Sequence, residues 1–229
     1  MVIGASGRAG RPIIKRLKEQ GYTLRAMTRN RERAISRVGD EYDWAEADVK
    51  DIESLKVALS GVDKIISTVG AIYPGRTPRP DDPDRPETVD FEGVRNLVDV
   101  AKENGVNRIV LMSAIGAGDG TNLMNKFFSD VLMWKYKGES HLRNSGIDYT
   151  IIRPGDLQGG LPGGKTGLRI EPGGTLGYKA GFTALDDLAE LCIAALFDPN
   201  AINKTIDVVN DDSLPPNRWH DAFKNIEVD

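Results

Sequence analysis

Val2-Ile3-Gly4-Ala5-Ser6-Gly7-Arg8-Ala9-Gly10 is the stretch that decides the fold. Two apolar residues run into glycines spaced G-x-x-G-x-x-G, and an amphipathic segment, Ala9 to Gln20, follows at once. That order reads strand, turn, helix. Gly4 permits the tight turn, Gly7 lets the backbone approach a pyrophosphate, and Gly10 lets the helix pack closely on the strand. The helix start offers unpaired N–H groups and a partial positive charge. Gly4, Ser6, Gly7, Arg8, Ala9 and Gly10 therefore read as the phosphate-binding turn of a dinucleotide site. Only three residues precede Gly4, fewer than the five or so of an ordinary strand, so the first strand reads as clipped.

Outward from this turn, short apolar runs alternate with helical patterns. Strands are expected at Leu24-Met27, Trp44-Ala47, Lys64-Val69, Ile109-Met112, Tyr149-Ile152 and Thr205-Val209. Several are almost continuously apolar, as befits strands covered on both faces. Helices are expected at Arg31-Val38, Ile52-Leu59, Val89-Asn104, Asn125-Asn144 and Leu188-Phe197, with Thr183 and Asp186-Asp187 at the start of the last. The alternation implies an α/β fold with a doubly wound parallel sheet of Rossmann type. The chain, 1–229, reads as a single domain with a small C-terminal substrate-binding region. Two stretches break the pattern: Pro74 to Pro86, with five prolines, and Gly155 to Gly177, with nine glycines. Both follow strand ends on the side where open α/β sheets bind ligands, so loops at about 71–87 and 155–182 are expected to line a substrate site.

Composition narrows the function classes. The 229 residues are 40% hydrophobic and 28% charged, and 30 basic against 34 acidic side chains give a net charge of -4. Such a surface has no global attraction for phosphate backbones, so no nucleic acid partner is expected. No apolar run approaches the ~20 residues of a membrane span, and no signal peptide is visible, so the protein reads as cytoplasmic. One cysteine, Cys192, excludes an internal disulfide framework and sits in an apolar helix as a small hydrophobe. His141 and His220 have no metal-ligand neighbours, so no metal is expected. Gly164-Lys165-Thr166 lacks the glycine spacing and following helix of a P-loop. Pro215, Pro216 and Trp219 lead into a short last helix that packs on the domain or on a second subunit, which leaves monomer and homodimer open.

The end of the second strand selects the dinucleotide. An NAD site places an acid there for the ribose 2′-hydroxyl, but this chain has Thr28-Arg29-Asn30-Arg31. Arg29 offers a fork of donors to a 2′-phosphate, and Arg8 in the turn can approach the same group from the other side. Either arginine also reads as a solvated surface charge. With the acid missing, NADP(H) is preferred over NAD(H).

With these residues in place, the sequence resembles the atypical short-chain dehydrogenase/reductases, specifically the NmrA-like NAD(P)-binding group. The resemblance runs from Gly4 to about Asn210. It is carried by the G-A-S-G-x-x-G turn, Thr28-Arg29-Asn30, Ala47-Asp48-Val49, Ser67-Thr68-Val69-Gly70, Val89-Asp90-Phe91-Glu92-Gly93 and Trp134-Lys135-Tyr136-Lys137-Gly138-Glu139. Most distinctive is Ser145-Gly146-Ile147-Asp148-Tyr149-Thr150-Ile151-Ile152-Arg153-Pro154-Gly155. The resemblance implies that Asp48 and Val49 border the adenine, that Thr68, Val69 and Gly70 flank the adenosine ribose, and that Arg153, Pro154 and Gly155 pass the nicotinamide. It also implies catalytic roles for Ser113 and Lys135, which match the family's serine and lysine. Four residues before Lys135, where the family's tyrosine belongs, stands Val131.

Helix spacing places Val131, Trp134, Lys135 and Gly138 on one face. Trp134 then forms an aromatic wall beside the site or packs in the core, and Gly138 leaves room beneath it. Tyr136 lies about 140° round the helix from Val131 and is a poor substitute for the tyrosine. Tyr73, Lys135 or a water could deliver a proton instead. Tyr73, Trp134 and Leu157 are the candidate substrate contacts. The expected activity is an NADPH-dependent reduction of a small enone, quinone, imine or carbonyl, with a lean toward conjugated acceptors that take their proton from solvent. A non-catalytic NADP(H)-binding sensor and a nucleotide-dependent isomerase or epimerase are the other readings.

Overall fold

A computed structural model describes residues 1–71, 77–79, 81–158, 163–177, 180–216 and 218–229, with side chains omitted at 218–220. Its elements are β1 (Val2–Ile3), α1 (Gly10–Glu19), β2 (Arg25–Thr28), α2 (Arg31–Val38), β3 (Asp43–Glu46), α3 (Ile52–Ala58) and β4 (Lys64–Ser67). A π-helical segment, Glu87–Gly93, runs directly into α4 (Val94–Glu103) and is followed by β5 (Arg108–Met112), α5 (Leu123–Phe127) and α6 (Val131–Arg143). The chain continues through β6 (Asp148–Pro154), β7 (Asp156–Gln158), β8 (Gly167–Pro172), β9 (Phe182–Ala184), α7 (Leu185–Phe197) and β10 (Lys204–Asp211), then a 3-10 helix, Arg218–Asn225.

The main sheet has the order β3-β2-β1-β4-β5-β6-β10-β8, the Rossmann order with an extension. The continuous apolar runs follow from the pleat, since consecutive side chains leave opposite faces and both faces are covered. Ile66, Val110, Met112 and Ile152 pack beneath Ile13, Ile14 and Leu17 of α1 and Leu188, Leu191 and Cys192 of α7. Their neighbours Ile65, Ile109, Leu111 and Ile151 pack against Leu55 of α3, Leu97 and Ala101 of α4 and Leu142 of α6. Each such side chain contributes about 2 kcal/mol by leaving water.

Three expectations need correction. The sheet is not wholly parallel: β8 closes its edge antiparallel to β10, with Ile170 opposite Val208. The stretch 155–182 is not one irregular loop, because it also supplies β7 and β9, which pair with each other. The helix expected over Asn125-Asn144 is two helices. Ser129 and Asp130 adopt φ of 50° and 57° between them, a conformation costly for side-chain-bearing residues. The Asn125 amide sustains the break, accepting from Leu132 N–H at 3.0 Å and donating to the Asp119 carbonyl at 2.9 Å. A smaller revision concerns Thr183, which lies in β9 with its hydroxyl donating to the Val208 carbonyl, while Ala184 leads into α7.

Candidate active site

The carboxyl ends of β1, β2, β4, β5 and β6 form one edge, and the strand order reverses between β1 and β4. Open α/β sheets bind ligands at such a reversal. Gly4 sits there with φ of 76°, and a Cβ would come within 2.7 Å of Thr68 Oγ1. At Gly10 a Cβ would collide with the Gly4 carbonyl oxygen and Ala5 backbone, so only glycine lets α1 start this close to the turn. No side chain caps α1 and its first turn holds no acid, which leaves its positive end open to an anion. Ser6 Oγ lies 3.3 Å from Thr28 Oγ1, fastening the turn to the end of β2. Ala9, buried, immediately precedes α1.

The adenosine end is built by β2, β3 and the π-helical segment. Lys50 N–H donates to Asp48 Oδ1 at 3.0 Å, and the Val49 carbonyl accepts from Asn96 Nδ2 at 3.1 Å. A Cβ on Gly93 would meet Val49 Cγ2 at 2.6 Å, so the small residue lets the π-helical segment close over β3's end. Arg29 and Arg8 do not converge as expected. Arg29 Nη1 donates to Asp84 Oδ2 at 2.6 Å, whereas Arg8 Nη2 donates to the Leu157 carbonyl at 3.0 Å, binding the turn to β7. Lys50, which the sequence reading passed over, joins Arg29 on Asp84, with Nζ 2.5 Å from Oδ1.

At the reaction end, Lys135 Nζ lies 2.7 Å from Asp90 Oδ1, and Asp90 Oδ2 accepts from Ala71 N–H at 3.1 Å. A Cβ on Gly70 would stand 3.2 Å from Lys135 Nζ, so this lysine lies against the segment that leaves β4 through Thr68, Val69 and Gly70. Asp90 is the residue sequence reasoning missed: its motif was legible, but not its pairing with a lysine 45 positions away. The Ser113 hydroxyl, at the end of β5, is buried and has no hydrogen-bond partner among the described residues.

Trp134 is neither core nor free surface. It lines a cavity of about 400 Å³ with Arg79, Arg85, Pro86, Glu87, Ser129 and Asp130. Its ring stacks on Phe91 at 6.0 Å, and Lys137 Nζ sits 3.9 Å from its centroid. Tyr136 is exposed and packs over Gly118, consistent with its place on another helix face. The space expected beneath Gly138 is filled: a Cβ there would meet the Asp90 carbonyl oxygen at 2.5 Å, so this glycine lets α6 press against the π-helical segment.

Two other expected contacts take a different form. Arg153 is buried with its guanidinium on Glu139, at 2.9 Å and 2.5 Å, so that side chain is engaged within the protein. Burial opposes the Arg153 charge, but Glu139 outweighs that and holds its pKa above the ordinary value. Pro154 is buried in β6, and Gly155 has no room for a Cβ because the Gly181 backbone, just before β9, and Val209 crowd it. Leu157 packs its side chain on the core, and Tyr73 lies outside the described residues. Cys192 is fully buried, which pushes its thiol up to about 12 and removes it as a nucleophile at neutral pH. Among the described residues there is no cluster of metal ligands and no helix long and apolar enough to cross a membrane.

Residues 4–199 match the family described as NAD(P)H-binding. The chain belongs to that family. The resemblance of its motifs to the atypical short-chain dehydrogenase/reductases, NmrA-like NAD(P)-binding group, is thereby borne out. It is 31% identical to sanguinarine reductase of Eschscholzia californica, over 91% of this chain and 87% of that protein. It is also 31% identical to a Bacillus subtilis protein named as an uncharacterized sugar epimerase, YhfK, over 93% of this chain and 94% of that one. The fold superposes on an anaerobilin reductase, ChuY of Escherichia coli O157:H7, with a TM-score of 0.75 and 21% identity over 92% and 96% of the two chains.

Proposed function

We propose that the protein is an NADPH-dependent reductase acting on a small conjugated acceptor such as an enone, quinone or imine. The observation that carries the reading is the buried Ser113 hydroxyl, without a partner among the described residues, at the sheet edge that also carries the Asp90–Lys135 pair. The glycine cradle at Gly4 and Gly10, the uncapped start of α1 and that orphaned hydroxyl all fit a nicotinamide dinucleotide. The turn from Gly4 to Gly10 would hold the pyrophosphate, Arg29 and Lys50 the 2′-phosphate, and Lys135 the nicotinamide ribose. When bound, the cofactor supplies the hydride.

The chain's own residues do the rest. Ser113 donates its hydrogen to the acceptor's oxygen or nitrogen and stabilises the charge that develops there. Lys135, fixed by Asp90, orients the ribose and presents an N–H donor to the same region. Trp134 offers an aromatic wall in a cavity whose size suits a small organic ligand. Val131 has no proton to give, which favours acceptors whose reduced form is protonated by water. The sensor reading draws on that same valine, and the name of the B. subtilis relative favours an epimerase. Deuterium on the nicotinamide C4 separates these readings. Its appearance in a reduced product, read by mass spectrometry, supports the reductase, and a protein that binds NADPH without ever transferring label argues against it.

A further inference from the structure

The Asp84 carboxylate reaches across from the segment leading into the π-helical turn and bridges two cations that sit on different strand ends. Arg29 Nη1, after β2, is 2.6 Å from Oδ2, and Lys50 Nζ, after β3, is 2.5 Å from Oδ1. Lys50 Nζ also lies 3.3 Å from the Pro83 carbonyl. Burial pushes the Asp84 carboxyl up, but the two cations outweigh it and hold it below the ordinary carboxylate range. The carboxylate is therefore a permanent anion at neutral pH. The position it occupies, between cations at the ends of the second and third strands, is where a Rossmann site receives the ribose 2′ substituent.

We infer that Asp84 is an internal stand-in for the cofactor's 2′-phosphate, and that NADPH binding exchanges one anion for the other. A phosphate of charge near -2 cannot share Arg29 and Lys50 with a carboxylate without strong repulsion. The exchange has a second consequence, because Arg85 and Pro86 follow Asp84 directly and line the Trp134 cavity. Release of Asp84 thus loosens one wall of the substrate cavity, and the 2′-phosphate becomes the signal that opens it. NADH, which carries only a hydroxyl there, leaves the bridge in place. Asp84 then sets both the cofactor preference and the order of binding, cofactor before acceptor.

This inference rests on the NADPH reading, so two variants are titrated with NADPH and with NADH by fluorescence. Arg29→Ala tests the reading and is expected to weaken NADPH selectively. Asp84→Asn tests the inference. It removes the competing charge of a partly exposed bridge and is expected to tighten NADPH about fivefold with NADH unchanged. In the wild-type protein, hydrogen exchange of the Asp84 and Arg85 amides is expected to quicken with adenosine 2′,5′-bisphosphate and not with AMP. Loss of NADPH preference in Arg29→Ala with no gain in Asp84→Asn overturns the stand-in and leaves the reading intact. No change in Arg29→Ala overturns both, and equal exchange with the two nucleotides overturns the stand-in alone.

Discussion

Lys135 Nζ and Asp90 Oδ1 are 2.7 Å apart, and the other Asp90 oxygen holds the Ala71 N–H just beyond β4. One buried carboxylate thus fixes the lysine of α6 against the segment expected to flank the adenosine ribose. Asp90→Asn is expected to lower kcat about 100-fold through misplacement of Lys135, with a smaller change in acceptor KM. Steady-state kinetics checks this, and an unchanged kcat would show that the pair is structural only.

Gly138 supports the same contact from beneath. An alanine Cβ would meet the Asp90 carbonyl oxygen at 2.5 Å, so α6 must shift away from the π-helical segment. Gly138→Ala is expected to cost about 1–3 kcal/mol by overpacking, seen as an earlier unfolding midpoint in denaturant. A midpoint equal to wild type would show that α6 can slide freely.

Ser113→Ala removes the hydroxyl proposed to donate to the acceptor, and turnover is expected to fall about 100-fold or more. Tyr136→Phe, on an exposed ring over Gly118, is expected to leave turnover unchanged. A large loss in the tyrosine variant would contradict the placement of the acceptor on the Lys135 face.

Much of this arrangement was legible in the chain. The glycine turn, the apolar strands and most of the helices were readable because each signal is local, and their alternation gave the Rossmann class. What escaped depended on distant partners or competing local bonds. The alternation in Leu168-Arg169-Ile170-Glu171 marks a strand, but glycines on both sides masked it, and its antiparallel pairing with β10 closes only in three dimensions. The break between α5 and α6 turns on the Asn125 amide, whose side chain competes with the helix ladder. Arg153 read as a cofactor residue because its motif is distinctive, yet its guanidinium is bound to Glu139 from α6.

Asp207 provides a pH-dependent expectation. It is buried in β10, accepts from Gly174 and Leu176 N–H at 2.9 Å each, and has Oδ1 without a partner among the described residues. Burial pushes its carboxyl above the ordinary 3.8, the two N–H donors and Arg153 oppose that, and Glu139 adds to it. The folded state therefore holds the proton more tightly than the unfolded chain, and this contribution is lost as pH rises from about 3.8 through the folded value. Asp207→Asn keeps an acceptor for both N–H groups and removes the titration. Its stability relative to wild type is expected to improve as pH rises from 4 to 7 in thermal melts. A difference that stays constant with pH would contradict the assignment.

Hydride transfer from NADPH to a conjugated acceptor is tested most directly by NADPH oxidation against quinones, enones, imines and saturated aldehydes. Turnover with a conjugated class, faster with NADPH than with NADH and weakened in Lys135→Ala, is the expected result. No oxidation with any acceptor, in a protein shown to bind NADPH, would contradict it and favour a nucleotide sensor.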